Sequence, residues 1–397
     1  MNYDKKSKAL FYGLEFVNGF RRNITSLLLI VYFVFLGHDP VKVTTLIFFS
    51  SIVFALFEIP SGAFADHYSR KLSLLISFFL MSLSFLGFYL FKEFWLLAIC
   101  FVLNDIAFTF QSGTNSAWII DELKIGKKKK EITSLFTKSM FSEKSGQFIA
   151  GIIGFFIIAL QFKIIWLIIS LTNLVIFFLI LFYAEERNFK SIKNEKHFIV
   201  NTFIQAKNSF AHLFHKTNKN LRGLVISDFI GNISLNSFYI TMPLILYQIL
   251  KFPPENISLL SILMAGVALF GPFIGGHIAH KKGFKKSLSS LFLGLFVAMA
   301  IFALSKNLIL SLIVLSLFKG LEAALGTVFD SAQHHEIPSH LRATLSSIIN
   351  QSWSIANALS ALLVSVGLIY FDLIITTMIV SSISLITAIS YGVMLKE

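Results

Sequence analysis

The feature that most limits how this chain can fold is the recurrence of apolar stretches long enough to cross a bilayer. Hydrocarbon about 30 Å thick needs roughly 20 helical residues, and such stretches fall at about 10–36, 43–62, 72–91, 94–119, 135–160, 164–184, 222–249, 257–279, 287–305, 308–330, 343–369 and 373–394. Inside lipid every backbone N–H and C=O must find a partner within the protein, which leaves helices as the natural spanning element. Hydrophobic residues make up 55% of the 397 and charged residues only 14%, too few to clothe a water-soluble surface. The expected fold is all-α and integral to a membrane, with twelve transmembrane helices.

Orientation follows from the basic residues. The connectors alternate between short ones and longer basic ones. Twenty-five Lys and Arg fall on one side, including Lys5, Lys6, Lys8, Arg70, Lys71, Lys127 to Lys130, Lys285 and Lys286. The other side holds five: Lys42, Lys92, Lys163, Lys251 and Lys306. The positive-inside rule therefore places both termini in the cytoplasm. It also accounts for the net charge of +13 without nucleic acid as a partner. The basic start resembles a signal peptide, but its apolar run is too long and lacks a small-residue cleavage site. Cys100 is the only cysteine, so neither a disulfide framework nor a cysteine metal site is expected.

The longest connector divides the chain into an N-terminal six-helix bundle (1–184), a cytoplasmic linker (185–221) and a C-terminal six-helix bundle (222–397). Within the linker Ile199, Phe203, Ala206, Phe210, Leu213 and Phe214 recur at helical spacing. That pattern predicts an amphipathic helix lying on the cytoplasmic leaflet. The halves also repeat each other. A shift of 214 lays Gly62 on Gly276 and Ala65 on Ala279; a shift of 213 lays Gly113-Thr114 on Gly326-Thr327 and Glu15 on Asp228. Six spans being even, the duplicated units have parallel topology.

The stretch 62-GAFADHYSRK-71, between the second and third spans, resembles the signature loop of the major facilitator superfamily. Twelve spans, cytoplasmic termini, a long central connector and the fainter copy 276-GHIAHKKGFKK-286 extend the resemblance over the whole chain. Glu58-Ile59-Pro60-Ser61-Gly62 and 337-IPSHLRATLSS-347 look like a bacterial branch of it. The chain departs from the pattern at Ser69, where glycine is usual. It has Thr109 where proton-coupled drug exporters carry arginine, and Gly146, Gly151 and Gly154 without a Gly-Pro pair in the fifth span. The resemblance implies a major facilitator fold and spans 1, 4, 7 and 10 around a central cavity. It also implies a gate latch in the loop, with Gly62, Asp66, Arg70, Lys71 and, in the opposite half, Arg342 as its residues.

Ionisable side chains within spans are costly unless they face a bundle interior or water. Away from the end turns they are Glu15, Arg21 and Arg22 in span 1, Asp105 in span 4, and Glu143 and Lys144 in span 5. Asp228 in span 7 and Lys319 and Glu322 in span 10 complete the set. Glu15, Arg21, Arg22, Asp105, Glu143, Asp228, Lys319 and Glu322 are the candidate substrate and proton pathway. Arg21 and Arg22 lie about 100° apart on a helix, so one should face the cavity and the other a neighbouring span. Arg21 or Arg22 is the expected basic neighbour of Glu15. Asp228 has none within two turns, so it should look across the interface between halves or take a proton.

No Gly-x-x-x-x-Gly-Lys-Ser/Thr loop is present, so ATP hydrolysis by that route is excluded. A polytopic membrane enzyme would need clustered His, Asp, Ser or Cys at one face. Only His334, His335 and Glu336 come near this, and the two histidines read as loop residues rather than metal ligands. The expectation is a monomeric, multi-pass protein of a bacterial inner membrane, without enzyme activity, metal or cofactor. It would move a small organic molecule by alternating access, coupled to protons, as an exporter; nutrient uptake is the alternative.

Overall fold

The computed structural model describes residues 3–125, 129–189, 219–336 and 342–395, and every regular element among them is helical. The first half comprises α1 (Tyr3–Phe35), α2 (Pro40–His67), α3 (Arg70–Leu90), α4 (Phe94–Gln111), α5 (Thr114–Glu122), α6 (Lys129–Leu160) and α7 (Ile164–Tyr183). The second comprises α8 (Lys219–Leu244), continued by a wider π-helical turn at Ile245–Ile249, then α9 (Pro254–Ala268), α10 (Gly271–Leu304), α11 (Leu308–Glu336), α12 (Arg342–Tyr370) and α13 (Leu373–Met394). The amphipathic helix expected at 199–214 lies outside the described residues.

Among the described residues, ten stretches are long and apolar enough to cross a membrane. One of them, Pro254–Leu304, is long enough for two crossings and turns at Gly283, where φ is 73° and ψ 168°. The 33 residues of α1 fall short of that measure because Glu15, Arg21 and Arg22 interrupt its apolar run. The twelve-span expectation is consistent with these elements. Span 4 is not one helix, however. It breaks at Ser112–Gly113, where Gly113 takes φ 72°, and resumes as α5. Hydropathy runs straight through this break and so does not reveal it. His334 and His335 belong to the last turn of α11 rather than to a loop, because the helix continues past its apolar part to Glu336.

Local chemistry sets the helix ends. Ser69 caps α3, its hydroxyl accepting from the Leu72 N–H at 2.9 Å. Asp372 caps α13 by accepting from Ile375 at 2.7 Å. Glu93 precedes α4, and backbone N–H groups bonded to its carboxylate hold that group below its usual titration range.

The chain forms two compact units. One contains α1, α2 from Phe49, α3 to α7 and the stretch Pro253–Leu259; the other contains Asp39–Phe48, α8, the rest of α9 and α10 to α13. Within the first, α1 packs on α6 and α7, and α3 on α4 and α7. Within the second, α8 packs on α12 and α13, and α10 on α11 and α13. The first span packs on the fifth and sixth in both units, and α10, which carries the third span of its half with the end of the second, packs on the fourth and sixth. The duplication read from glycines and acids is thus a duplication of packing.

Small residues set the closest approach. A Cβ on Gly19 of α1 would strike the backbone of Glu143, and one on Gly146 of α6 would strike the backbone of Phe16. The two helices cross with backbone against backbone, which lipid, offering no hydrophobic drive of its own, favours through dispersion contacts. Leu10, Phe11, Leu14, Leu74, Phe78, Trp118 and Ile180 form a buried apolar cluster in the first unit. A second, aromatic cluster joins Tyr32, Phe88, Phe162 and Trp166.

Candidate functional site

The crossing of α1 and α6 decides where the adjacent arginines go. Arg22 turns toward α6 and donates to Glu143 at 2.7 Å. Glu143 also accepts from Gln147 at 3.2 Å, whose own oxygen accepts from Lys144 at 3.1 Å. Arg21 turns the other way and is buried, its guanidinium carbon 5.2 Å from the centre of the Phe108 ring on α4. One turn earlier on α4, Asp105 accepts from Ser50 of α2 at 2.5 Å and from its neighbour Asn104 at 3.5 Å.

Glu15 has Arg22 as its charged neighbour through space, while its direct bond comes from Asn115 of α5, which donates at 2.5 Å; the Arg22 guanidinium itself bonds Glu143. The reason is distance: seven residues along a helix is about 10 Å, farther than one direct bond can span. Next to this pair, Gln111 donates to Asn18 at 3.0 Å.

In the second unit Asp228 is 8% exposed and accepts from two neutral donors, Trp353 of α12 at 2.7 Å and Asn232 at 2.9 Å. Trp353 was not singled out in the sequence, because nothing local to residue 353 marks it as facing α8. Lys319 and Glu322, three residues apart on α11, form an ion pair at 2.5 Å. The Tyr239 hydroxyl of α8 completes the group, donating to Glu322 and accepting from Lys319, both at 2.6 Å.

The signature stretch is more helical than a loop. Gly62 and Asp66 lie in α2 and Arg70 and Lys71 in α3, leaving a turn of only Tyr68 and Ser69. Arg70 is bound to Asp121 of α5 and donates to the Ala117 carbonyl at 2.8 Å; its contact with Asp66 is the longer one, at 3.4 Å. Glu186 accepts from the Ser69 hydroxyl at 2.5 Å and from the Lys71 backbone N–H at 2.8 Å, placing a carboxylate at the N-terminus of α3. The Lys71 ammonium donates to the Leu181 carbonyl at 3.0 Å. Beside it, Glu122 is bound to Arg187, and that hydrogen bond raises the already high pKa of the guanidinium. Asp121, Glu122 and Glu186 escaped the sequence reading, which counted cations for topology and left the acids beside them unassigned. A Cβ on Gly62 would meet nothing within 4 Å, so packing gives no reason for glycine there. The side chain of Arg342 lies outside the described residues.

The second copy of the turn is built otherwise. Gly283 supplies the backbone reversal, and His280, Lys281 and Lys282 are exposed.

Residues 11–361 match the sequence model of the Major Facilitator Superfamily. No curated protein sequence matches the chain. Among solved structures, a variant of the nucleoside transporter NupG superposes with a TM-score of 0.79 at 14% identity, covering 100% of both chains. A bacterial homologue of the human lysosomal transporter Spinster gives 0.76 at 14% identity over 99% of this chain and 97% of its own. A D-xylose–proton symporter gives 0.68 at 14% identity over 100% of this chain and 98% of its own. At such identity the likeness is one of fold. Taken with the match along most of the sequence, it makes this multi-pass membrane protein a member of the Major Facilitator Superfamily, a family of transporters.

Proposed function

We propose that the protein is a proton-coupled secondary transporter of a small organic molecule, working by alternating access in a bacterial cytoplasmic membrane with both termini inside. The observation that carries the coupling is Asp228. It is a carboxylate 8% exposed, bonded to two neutral donors and to no cation among the described residues. A carboxylate locked to arginine must break an ion pair to gain a proton, whereas one held by an indole and an amide needs only a shift of those donors. The Lys319–Glu322–Tyr239 group on α11 and α8 is a second place where a proton could change partners.

Export is the direction we assign, by analogy with drug exporters of the superfamily. The acid-held turn at Ser69 supports a latch role for the signature residues, since its bonds connect α2, α3 and α5 and can form or break as a set.

The test is transport by the purified protein in vesicles with an imposed pH gradient, using a panel of metabolites and drugs. The expected outcome is uphill movement of at least one compound, abolished by a protonophore, with the compound leaving the cytoplasmic side as protons enter it. Accumulation unaffected by the protonophore contradicts the coupling, and movement in the same direction as the protons contradicts the export assignment.

A further inference from the structure

Nine ionisable side chains lie within the spans away from the end turns, and eight of them have a polar partner among the described residues. Glu15 is held by Asn115, Asp105 by Ser50 and Asp228 by Trp353. Arg22 pairs with Glu143, Lys319 with Glu322, and Lys144 donates to Gln147. The ninth is Arg21. It is 7% exposed, its Nε has no acceptor, and no described residue accepts from its other nitrogens.

A guanidinium stays charged in proteins and offers five N–H donors in a planar fork. It lies about 14 residues, or roughly 21 Å, from the C-terminal end of α1, beyond the reach of one side chain to the membrane surface. Snorkelling therefore does not explain it. Phe108 covers one face of the fork, with 5.2 Å from its ring centre to the guanidinium carbon, and the Nε–H at its edge is buried without an acceptor. The nearby acids are committed elsewhere: Asp105 to Ser50 and Asn104, Glu143 to Arg22. Asp105 therefore acts on Arg21 only through space, its oxygens being bonded to neutral donors, and the guanidinium has no direct acceptor among the described residues; its planar fork fits two oxygens of one oxyanion.

We infer that Arg21 is an anion-binding residue and that the transported molecule carries a carboxylate or phosphate group, which pairs with the guanidinium over Phe108. The inference rests on the transporter reading above but not on its coupling to protons.

The test is equilibrium binding to the purified full chain in detergent, without any gradient, read by thermal shift and calorimetry. The panel is a set of aliphatic and aromatic carboxylic acids and phosphate monoesters, each paired with its neutral amide or alcohol. At least one acid or monoester should stabilise the wild type saturably while its neutral partner does not; which of the two classes binds separates carboxylate from phosphate. Arg21→Gln should abolish that binding, and Arg21→Lys, which keeps charge but loses the fork, should weaken it at least tenfold. Lys163→Gln, which removes a cation far along the chain, should bind as wild type. Size-exclusion profiles check folding, and if the Gln variant fails to fold, the Lys variant decides. The inference is overturned if no anion in the panel binds, if neutral partners bind equally well, or if the folded Arg21 variants bind anions like wild type. A protein that transports with the pH gradient yet binds no anion overturns this inference alone. One that binds anions through Arg21 yet ignores the gradient overturns only the coupling.

Discussion

In the first half of the molecule, the turn after the second span is two residues long, and acids hold both sides of it. Glu186 caps the start of α3 through Ser69 and Lys71, and Asp121 of α5 takes Arg70. In the second half the corresponding turn is made by one glycine, Gly283, with exposed basic residues before it. The duplicated acids diverge in a similar way. Glu15 is held by an amide from the fourth span of its half, and Asp228 by an indole from the fifth. Helix neighbours are shared between the halves while side-chain partners are not. Duplication has thus kept what packing demands and released what a particular site uses.

Arg70→Ala against Lys285→Ala is the strongest way to break this comparison. Removing Arg70 leaves Asp121, Asp66 and the Ala117 carbonyl without their shared donor, and transport should fall at least tenfold. Lys285→Ala should change it less than twofold. Equal losses in vesicle assays would mean that the two turns act alike and that the acids of the first are incidental.

Asp66→Asn sharpens the same contrast. Its contact with Arg70 is the long one, so folding should be little affected, and a melting temperature within about 2 °C of wild type is expected. Transport should still drop severalfold, because the contact joins α2 to α3 at the turn. Wild-type turnover would remove Asp66 from the latch.

Stability separates the two glycines. At Gly283 the backbone occupies a region nearly closed to other residues, so Gly283→Ala should cost about 1–3 kcal/mol. Gly62 sits in a helix with open space at its Cβ position, and Gly62→Ala should be neutral or stabilise by roughly 0.5–1 kcal/mol. Thermal unfolding of both variants checks the order, and a reversed order would contradict the backbone argument. Ser69→Ala loses a helix cap worth about 1 kcal/mol, visible as faster amide exchange at the start of α3.

Much of the fold was legible because lipid is a demanding solvent: length and hydropathy alone locate the spans. The positions of the intramembrane charges were equally legible, since Arg21 or Asp228 stands out in an apolar run. Their partners were not. Asp66 and Arg70 are four apart and read as a pair, yet the chain breaks at Tyr68–Ser69 and Arg70 finds Asp121, fifty-one residues on. Likewise no local pattern joins Asp228 to Trp353, which meet only once α8 packs on α12. The break at Gly113 was hidden for another reason: glycine in an apolar run leaves hydropathy unchanged while permitting a positive φ.

The most direct test of proton coupling is accumulation by Asp228→Asn beside wild type, in vesicles under an imposed pH gradient, with exchange of labelled for unlabelled substrate measured in parallel. Asparagine keeps the shape and the hydrogen bond from Trp353 but cannot carry a proton. The expected result is loss of gradient-driven accumulation with exchange preserved within about threefold, a difference of less than 1 kcal/mol in barrier height. Undiminished uphill transport by Asp228→Asn would contradict the assignment and move the proton to another group.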